Sequence, residues 1–209
     1  MTARPELLRR YTELPSLFAI LRRQEITLLP PSTWDDKNDR NLMDAYKRVK
    51  GLKTLVALCF SQCPETYHHW KIFAPGTSGV CIEFKKEELL RCLPATGIVH
   101  DSIDYKTISE LKDPKLDVTD LPFTKRAAFA DEQEYRIVFT SKRQTVVTKR
   151  IPVPVTAISR VVVNPWVVEP LFDAIQETIL GTPDCGKIVV SHSKLIESPT
   201  WKAFADRYA

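Results

Sequence analysis

The stretch that decides the fold is Ala128-Phe129-Ala130-Asp131-Glu132-Gln133-Glu134-Tyr135-Arg136-Ile137-Val138-Phe139. Its second half places Tyr135, Ile137 and Phe139 at every other position, which is the period-2 pattern of a β-strand. Its first half is acidic and predicts the end of a helix, or a loop, that leads directly into the strand.

Three acids crowd the entrance of this strand: Asp131, Glu132 and Glu134. Because residues two apart on a strand project to the same face, Glu132 and Glu134 are predicted to lie side by side. Two close carboxylates repel each other, which raises the pKa of one of them. Such a pair can orient a sugar hydroxyl or stabilise a developing positive charge. The alternative is a pair of solvated strand-edge acids, partnered by Arg136 or a nearby lysine.

Length and composition favour one globular domain that spans residues 1–209. The chain has 209 residues, of which 44% are hydrophobic and 27% are charged, as in proteins that bury a full core. The net charge of +4 is compatible with a polyanionic partner. No repeat or low-complexity tract divides the sequence, and helices and strands are interspersed, so we predict an α+β fold.

Apolar periodicity and turn residues predict the order of the elements. Helices are predicted at residues 14–23, 41–50, 66–73, 86–92, 121–130, 166–180 and 201–208. Strands are predicted at residues 25–29, 54–60, 80–84, 97–105, 135–139, 158–163 and 187–190, with a charged linker at 106–120 and extended segments at 146–147 and 151–155. The strand at 54–60 is almost continuously apolar, which indicates burial on both faces.

Metal and phosphate motifs are weak in this sequence. The glycine-rich loops that cradle nucleotide phosphates are missing, so any phosphate must be held by side chains. His68 and His69 are neighbours that point to different sides of a helix, and we predict no metal site there. The acidic loop of Asp35, Asp36 and Asp39 departs from the calcium-loop template, which favours helix capping over Mg²⁺ or Ca²⁺ coordination.

Cysteine usage and hydropathy predict a cytoplasmic protein. The five cysteines are odd in number and lie mostly in apolar runs, which favours free core thiols in a reducing compartment. No apolar stretch approaches the roughly 20 residues that span a bilayer. The N-terminal residues are polar and charged, unlike a secretory leader. We expect no membrane partner, and the oligomeric state is left open.

Several segments taken together resemble a bacterial family of unknown function, domain-of-unknown-function family 2971. The segments are Leu8-Arg9-Arg10-Tyr11-Thr12, Pro31-Ser32-Thr33-Trp34-Asp35-Asp36, Tyr67-His68-His69-Trp70, Gly79-Val80-Cys81-Ile82-Glu83-Phe84, Glu132-Gln133-Glu134-Tyr135-Arg136-Ile137 and Ser191-His192-Ser193-Lys194-Leu195. The resemblance covers nearly the whole chain. Members commonly carry Arg where this chain has Thr12 and Pro where it has Lys37.

By a looser analogy, the same segments resemble the ADP-ribosyltransferase-like fold. The resemblance implies a mixed, largely antiparallel central sheet, or two packed sheets, flanked by helices. It implies NAD as the substrate and no metal. An early strand with Arg10, Tyr11 and Thr12 would hold the dinucleotide, and a later strand with Glu132 and Glu134 would carry the chemistry in the same crevice.

The resemblance also implies roles for individual residues. Breaking the nicotinamide–ribose bond builds an oxocarbenium-like charge, which a fixed carboxylate stabilises. Glu134 would do this through a hydrogen bond to a ribose hydroxyl, and Glu132 would orient or deprotonate the acceptor. Arg10 would pair with the pyrophosphate, and Thr12 would bond to the ribose or the carboxamide.

Further residues are assigned to binding by the same resemblance. Tyr67 or Trp70 would stack on nicotinamide, and His69 would line the same pocket. The loop before the acids carries Lys125, Arg126 and Phe129 and would bind the acceptor, a nucleic acid or a protein.

The leading hypothesis is therefore an NAD-dependent ADP-ribosyltransferase-like enzyme, a glycosyltransferase acting on NAD. The family resemblance suggests a toxin or phage-defence effector. Two alternatives stay open. One is a non-catalytic nucleotide- or nucleic-acid-binding module of a bacterial defence system, and the other is a metal-dependent nuclease built on Asp35, Asp36 and Asp39.

Overall fold

The computed structural model describes residues 6–112 and 117–208. Its strands are β1 Leu7–Glu13, β2 Glu25–Leu28, β3 Thr54–Ser61, β4 Gly79–Lys85, β5 Ile98–Ser102, β6 Asp104–Lys106, β7 Thr124–Arg126, β8 Glu134–Ser141, β9 Lys149–Pro152, β10 Ile158–Val163 and β11 Val189–His192. Its α-helices are α1 Leu14–Arg23, α2 Lys37–Val49, α3 Tyr67–Phe73, α4 Lys86–Arg91, α5 Glu169–Leu180 and α6 Pro199–Ala205. Short 3-10 helices lie at Pro31–Thr33, Glu110–Lys112, Val118–Phe123, Ala127–Glu132 and Val155–Ala157. Within these described ranges, no helix is both long and apolar enough to cross a membrane.

Residue contacts divide the chain into two compact units. Unit 1 contains residues 6–24, 64–88 and 154–208 of the described chain. Unit 2 contains residues 25–63 and 89–153, of which 113–116, part of the predicted charged linker, lie outside the described residues. The prediction of a single domain stays a prediction.

Unit 1 is built on four strands in the order β11-β10-β4-β1. β10 and β11 run parallel, and the other neighbours are antiparallel. β4 is buried from its first residue to Phe84, as expected for an inner strand with neighbours on both sides. Helix α1 has a proline in its first turn, where the missing N–H costs nothing, and it buries Leu17 and Leu21.

Unit 2 contains β3, β8 and β5 as antiparallel neighbours with β8 in the middle. β2 and β9 form an antiparallel pair, and β6 and β7 form a parallel pair. β3 is buried on both faces, as its continuous apolar sequence predicts. A buried cluster of Met43, Leu55, Ala57 and Val138 forms the core beside it. The predicted fold class, α+β with a mixed, largely antiparallel sheet and flanking helices, is confirmed.

Several element boundaries differ from the sequence predictions for local reasons. Helix α2 begins at Lys37 rather than at 41, because the Asp36 side chain accepts hydrogen bonds from the first backbone amides. The strand predicted at 97–105 is divided into β5 and β6 at Ile103, whose amide bonds to the carbonyl of Glu134. Helix α5 begins at Glu169 rather than at 166, and β11 starts two residues later than predicted.

The helix predicted at 121–130 is wrong. Two 3-10 helices, Val118–Phe123 and Ala127–Glu132, flank the short strand β7 in its place. Pro122 lies inside the first of them. Residues 124–126 instead pair with β6, so a tertiary contact overrides the local helical pattern.

Gly79, at the start of β4, lies where a side chain has no room. A Cβ atom there would meet the carbonyl oxygen of Ala74 at 2.2 Å and Nδ2 of Asn164 at 2.8 Å. We expect Gly79→Ala to lower the free energy of unfolding by about 1–3 kcal/mol through overpacking, measured by urea denaturation. Gly186→Ala is the control, because its Cβ would approach only the carbonyl of Leu180, at 3.8 Å. Equal losses in the two variants would contradict the explanation by close approach.

Candidate active site

The two glutamates of the acidic stretch lie at a sharp turn where the chain enters β8. Glu132 ends the 3-10 helix, and Glu134 is the first residue of β8. Gln133 between them has a left-handed backbone with φ of 42°. Its carbonyl accepts a hydrogen bond from the amide of Gln62 at 2.8 Å, which ties the turn to the residue after β3. The predicted transition from a helix end to a strand is confirmed.

Lys125 on β7 bridges the two glutamates. Its Nζ lies 2.5 Å from Oε2 of Glu132 and 3.1 Å from Oε2 of Glu134. The two carboxylates therefore converge, as the sequence predicts, but for a different reason. Glu132 lies outside the strand, so the shared ammonium, rather than strand alternation, brings them together.

Arg136 is fully buried and organises the inner side of this group. Its Nε donates to Oε1 of Glu134 at 2.8 Å. Nη1 and Nη2 donate to the two carboxylate oxygens of Asp39 at 3.1 and 2.8 Å. Nη1 also donates to the carbonyl of Pro122 at 2.8 Å, and the guanidinium carbon lies 4.6 Å from the centre of the Trp34 ring. One side chain thus joins β8 to α2 and to the segment that precedes β7.

We call the cluster of Asp39, Lys125, Glu132, Glu134 and Arg136 the acid site. Its three carboxylates and two cations leave one net negative charge. Burial alone would raise the pKa of Glu134, but the charges of Arg136 and Lys125 outweigh burial and lower that pKa to about 2. Burial dominates for Glu132 and Asp39 and raises the pKa of each. Glu134 is therefore a permanent carboxylate, whereas Glu132 holds its proton more tightly than an ordinary glutamate.

Exposure also separates the two glutamates. The side chain of Glu132 is 19% exposed and that of Glu134 is 5% exposed. Both oxygens of Glu134 already accept a hydrogen bond, one from Arg136 and one from Lys125. Because a carboxylate oxygen can accept two hydrogen bonds, a ribose hydroxyl would have to be the second donor to one of them. The alternative interpretation correctly predicted that Arg136 and a lysine pair with the two glutamates. It also predicted that the glutamates are solvated, whereas their side chains are largely buried.

The three residues predicted to bind the acceptor have different environments. Lys125 is 8% exposed and its charge is already compensated by two glutamates, so its role in binding the acceptor stays a prediction. Phe129 is half-buried, and Nζ of Lys125 lies 5.0 Å from the centre of its ring. Arg126 is exposed at the end of β7. Of these three, Arg126 alone presents an exposed cation.

The residues predicted to hold NAD lie in unit 1, on β1 and α3. Alternation along β1 places Tyr11 on one face and Arg10 and Thr12 on the other, so the predicted group is divided. The Tyr11 ring lies 5.1 Å from the ring of His69 and 5.2 Å from that of Trp70. The structure thus brings together the three aromatic groups but not the arginine and the hydroxyl.

The two candidates for stacking on nicotinamide differ in exposure. Trp70 is 0% exposed, and its Nε1 donates to the carboxylate of Glu65 at 2.6 Å. Its ring has no face in solvent in this structure, and its role in stacking on nicotinamide stays a prediction. Tyr67 is 49% exposed and contacts the Trp166 ring edge-on, with centroids 5.5 Å apart. Tyr67 is therefore the member of the predicted pair that can stack on a ligand.

Arg9, rather than Arg10, shares the face of Tyr11. Its Nε donates to one carboxylate oxygen of Glu83 at 3.0 Å, and Nε of Arg160 donates to the other at 3.0 Å. These three residues are neighbours across β1, β4 and β10. Alternation along β1 could have identified Arg9, whereas the Arg-aromatic-hydroxyl motif points to Arg10. The expectation that the arginine strand and the acid strand share one crevice stays a prediction.

The acidic loop does not gather its carboxylates around one point. Oδ1 of Asp36 accepts from the amide of Asn38 at 2.9 Å and caps α2, as predicted. The Asp39 carboxylate is engaged by Arg136 instead. In the part of the chain that the structure describes, no group of three or more His, Cys, Asp and Glu side chains is arranged to hold a metal ion. One of the three proposed ligands of the nuclease alternative, Asp39, is therefore paired with Arg136, and that alternative stays a hypothesis.

Comparisons with known proteins give a likeness in structure only. No family model matches the chain, and no curated protein matches it, so membership of family 2971 is not confirmed. The chain is similar to the structure of Thermus sp. 2.9 DarT in complex with NAD+, with 12% identity over 93% of this chain and 98% of that chain and a TM-score of 0.47. The same DarT in complex with ADP-ribosylated ssDNA matches with 13% identity over 91% and 95%, and a TM-score of 0.48. Its complex with carba-NAD+ matches with 12% identity over 91% and 96%, and a TM-score of 0.47.

Proposed function

We propose that this protein is an NAD-dependent ADP-ribosyltransferase-like enzyme whose chemistry takes place at the acid site. The proposal rests on one observation: Glu132 and Glu134 share the ammonium of Lys125, yet the pKa of Glu134 is lowered to about 2 and that of Glu132 is raised. Two acids whose environments push their pKa values apart divide the work between a fixed charge and a group that transfers a proton. The resemblance of Glu132-Gln133-Glu134 to the acidic element of that fold supplies the reaction class.

In this proposal Glu134 provides the fixed charge. When the bond between nicotinamide and C1′ of the ribose breaks, nicotinamide leaves with the electron pair and positive charge develops on the sugar. The hydrogen bond and ion pair with Arg136 hold the Glu134 carboxylate in place, so it stabilises that charge without reorganising.

Glu132 acts on the acceptor in the same proposal. It is the more exposed of the two glutamates, and its raised pKa makes it the better base for a proton transfer at neutral pH. An acceptor oxygen or nitrogen forms the new bond to C1′ and gives its proton to Glu132. In this proposal Arg126, which is exposed, contacts the acceptor, a nucleic acid or a protein.

The decisive experiment incubates the protein with NAD labelled in the adenylate phosphate, in the presence of total RNA, DNA or protein. We expect release of nicotinamide and transfer of label to one class of acceptor. If no acceptor class supports the release of nicotinamide, the acid site is a structural ion cluster and the binding-module alternative replaces this proposal.

Glu132→Gln tests the division of labour between the two acids. We expect transfer of label to the acceptor to fall by about 10²-fold or more, because the general base is lost. Nicotinamide release by hydrolysis should fall much less, which chromatography of the products measures. Asp131→Asn is the matched control, since Asp131 is an exposed acid one residue away in the sequence. A transfer rate unchanged in Glu132→Gln would remove Glu132 from the mechanism.

A further inference from the structure

Tyr105 lies at the acid site, although no sequence motif assigns it a role. It is the middle residue of β6, which pairs in parallel with β7, and its register partner is Lys125. The Tyr105 hydroxyl accepts a hydrogen bond from the backbone amide of Glu134 at 2.9 Å. Tyr105 and Lys125 therefore approach the same residue from adjacent strands.

The hydroxyl of Tyr105 still has a proton to donate. A phenol oxygen that accepts one hydrogen bond can also donate one. Among the described residues, the bond from Glu134 is the one hydrogen bond of this hydroxyl. Burial, together with the negative charges of Glu134 and Glu132, raises the pKa of Tyr105 to about 12, so the proton stays on the oxygen at neutral pH.

The chemistry of the surrounding groups defines what could receive this proton. The side chains of Lys125 and Arg136 already donate to carboxylates. The Tyr105 hydroxyl is instead a neutral donor, next to glutamates that accept hydrogen bonds but cannot donate them. A ligand hydroxyl fits both neighbours, since its oxygen accepts from the phenol while its proton is donated to a carboxylate.

We propose that Tyr105 binds a ribose hydroxyl at the acid site. The phenol donates a hydrogen bond to the ribose oxygen, and the ribose hydroxyl donates a hydrogen bond to Glu132. The proposal rests on the proposed function, because the ribose belongs to NAD. It gives the acid site a direct contact to the sugar that does not depend on the enclosed carboxylate of Glu134.

Two independent readouts test this proposal. The first is the NMR signal of the Tyr105 ζ-carbon in protein labelled with ¹³Cζ-tyrosine. The protein has six tyrosines, and the signal that is missing from the spectrum of Tyr105→Phe belongs to Tyr105. We expect this signal to shift when ADP-ribose is added to the wild-type protein. The second is nicotinamide release, for which we expect Tyr105→Phe to lower kcat/KM by about 3- to 10-fold, the effect of one neutral hydrogen bond.

Tyr135→Phe is the matched control. Tyr135 follows Glu134 on β8 and points to the other face, where its hydroxyl lies 2.6 Å from Nδ1 of His100. The signal of Tyr135 in the wild-type protein should not respond to ADP-ribose, and the kcat/KM of Tyr135→Phe should equal that of the wild type. A Tyr105 signal that is unchanged at saturating ADP-ribose overturns the Tyr105 proposal, whatever the turnover. Absence of nicotinamide release by the wild-type protein overturns the proposed function, whatever the NMR result.

Discussion

Glu134→Gln is expected to lower kcat for nicotinamide release by about 10²- to 10³-fold, the loss that follows removal of one preorganised electrostatic group. Glutamine has nearly the same shape and keeps one oxygen to accept the hydrogen bond from Arg136. What it lacks is the negative charge, which is the quantity that matters when the ribose becomes positively charged. Chromatographic measurement of nicotinamide at saturating NAD gives kcat directly.

The same substitution also affects stability, and this effect needs its own control. A buried glutamate that neutralises two cations cannot be made neutral without cost to the fold. Glu83→Gln is the matched variant, because Glu83 is also about 5% exposed and is held by two arginines, Arg9 and Arg160. If both variants lose kcat equally, the loss reflects destabilisation. If Glu134→Gln keeps nearly the full kcat, Glu134 has no catalytic part.

The pH dependence of stability gives a check of Glu134 that needs no substrate. The folded pKa of Glu134 is about 2 and the ordinary value is 4.5, so this residue stabilises the fold above pH 4.5 and the contribution is lost as the pH falls toward 2. Glu132 and Asp39 act in the opposite sense, because the pKa of each is raised in the folded protein. Their contribution stabilises the fold at low pH, and this contribution is lost as the pH rises through the folded pKa. Urea denaturation between pH 5 and pH 2 should therefore show a steeper loss for the wild type than for Glu134→Gln.

The sequence predicted most of the fold because most elements have strong local patterns. β3 is a nearly continuous apolar run, and α1 combines apolar spacing with a proline suited to its first turn. The segment at 121–130 lacks such agreement. Its helical spacing competes with pairing to β6, and a residue's partner strand cannot be deduced from the residues next to it in sequence.

The acid site was predictable only in part, for the same physical reason. Clustering of acids points to Glu132 and Glu134, and any nearby cation is a reasonable partner. Asp39 contacts Arg136, which is 97 residues away in the sequence, and Tyr105 contacts Glu134, which is 29 residues away. Contacts over such separations cannot be deduced from local sequence patterns. Trp70 shows the converse limit, since its residue type suggests a stacking platform and only the packed structure shows that its ring is enclosed.

Arg136→Met is expected to lower the free energy of unfolding by about 3–5 kcal/mol, the cost of removing one partner from a buried ion pair. Arg136 is 0% exposed and neutralises both Asp39 and Glu134, which would be left without this compensating charge. Methionine fills part of the volume, so the loss reports mainly the uncompensated charges. Urea denaturation at pH 7 measures it, and Arg160→Met, at a 43% exposed arginine that shares Glu83 with Arg9, should lose no more than about 1 kcal/mol.

A second substitution separates charge from geometry at the same position. Arg136→Lys keeps the positive charge but cannot donate at once to Asp39, Glu134 and the Pro122 carbonyl, as the guanidinium does. We expect a loss of stability between those of the wild type and Arg136→Met. Adding Asp39→Asn to Arg136→Met should restore part of the stability, because one of the two uncompensated charges is removed. If Arg136→Met were as stable as the wild type, the stability of the fold would not depend on this arginine. The explanation that Arg136 keeps Glu134 a fixed anion would then be wrong.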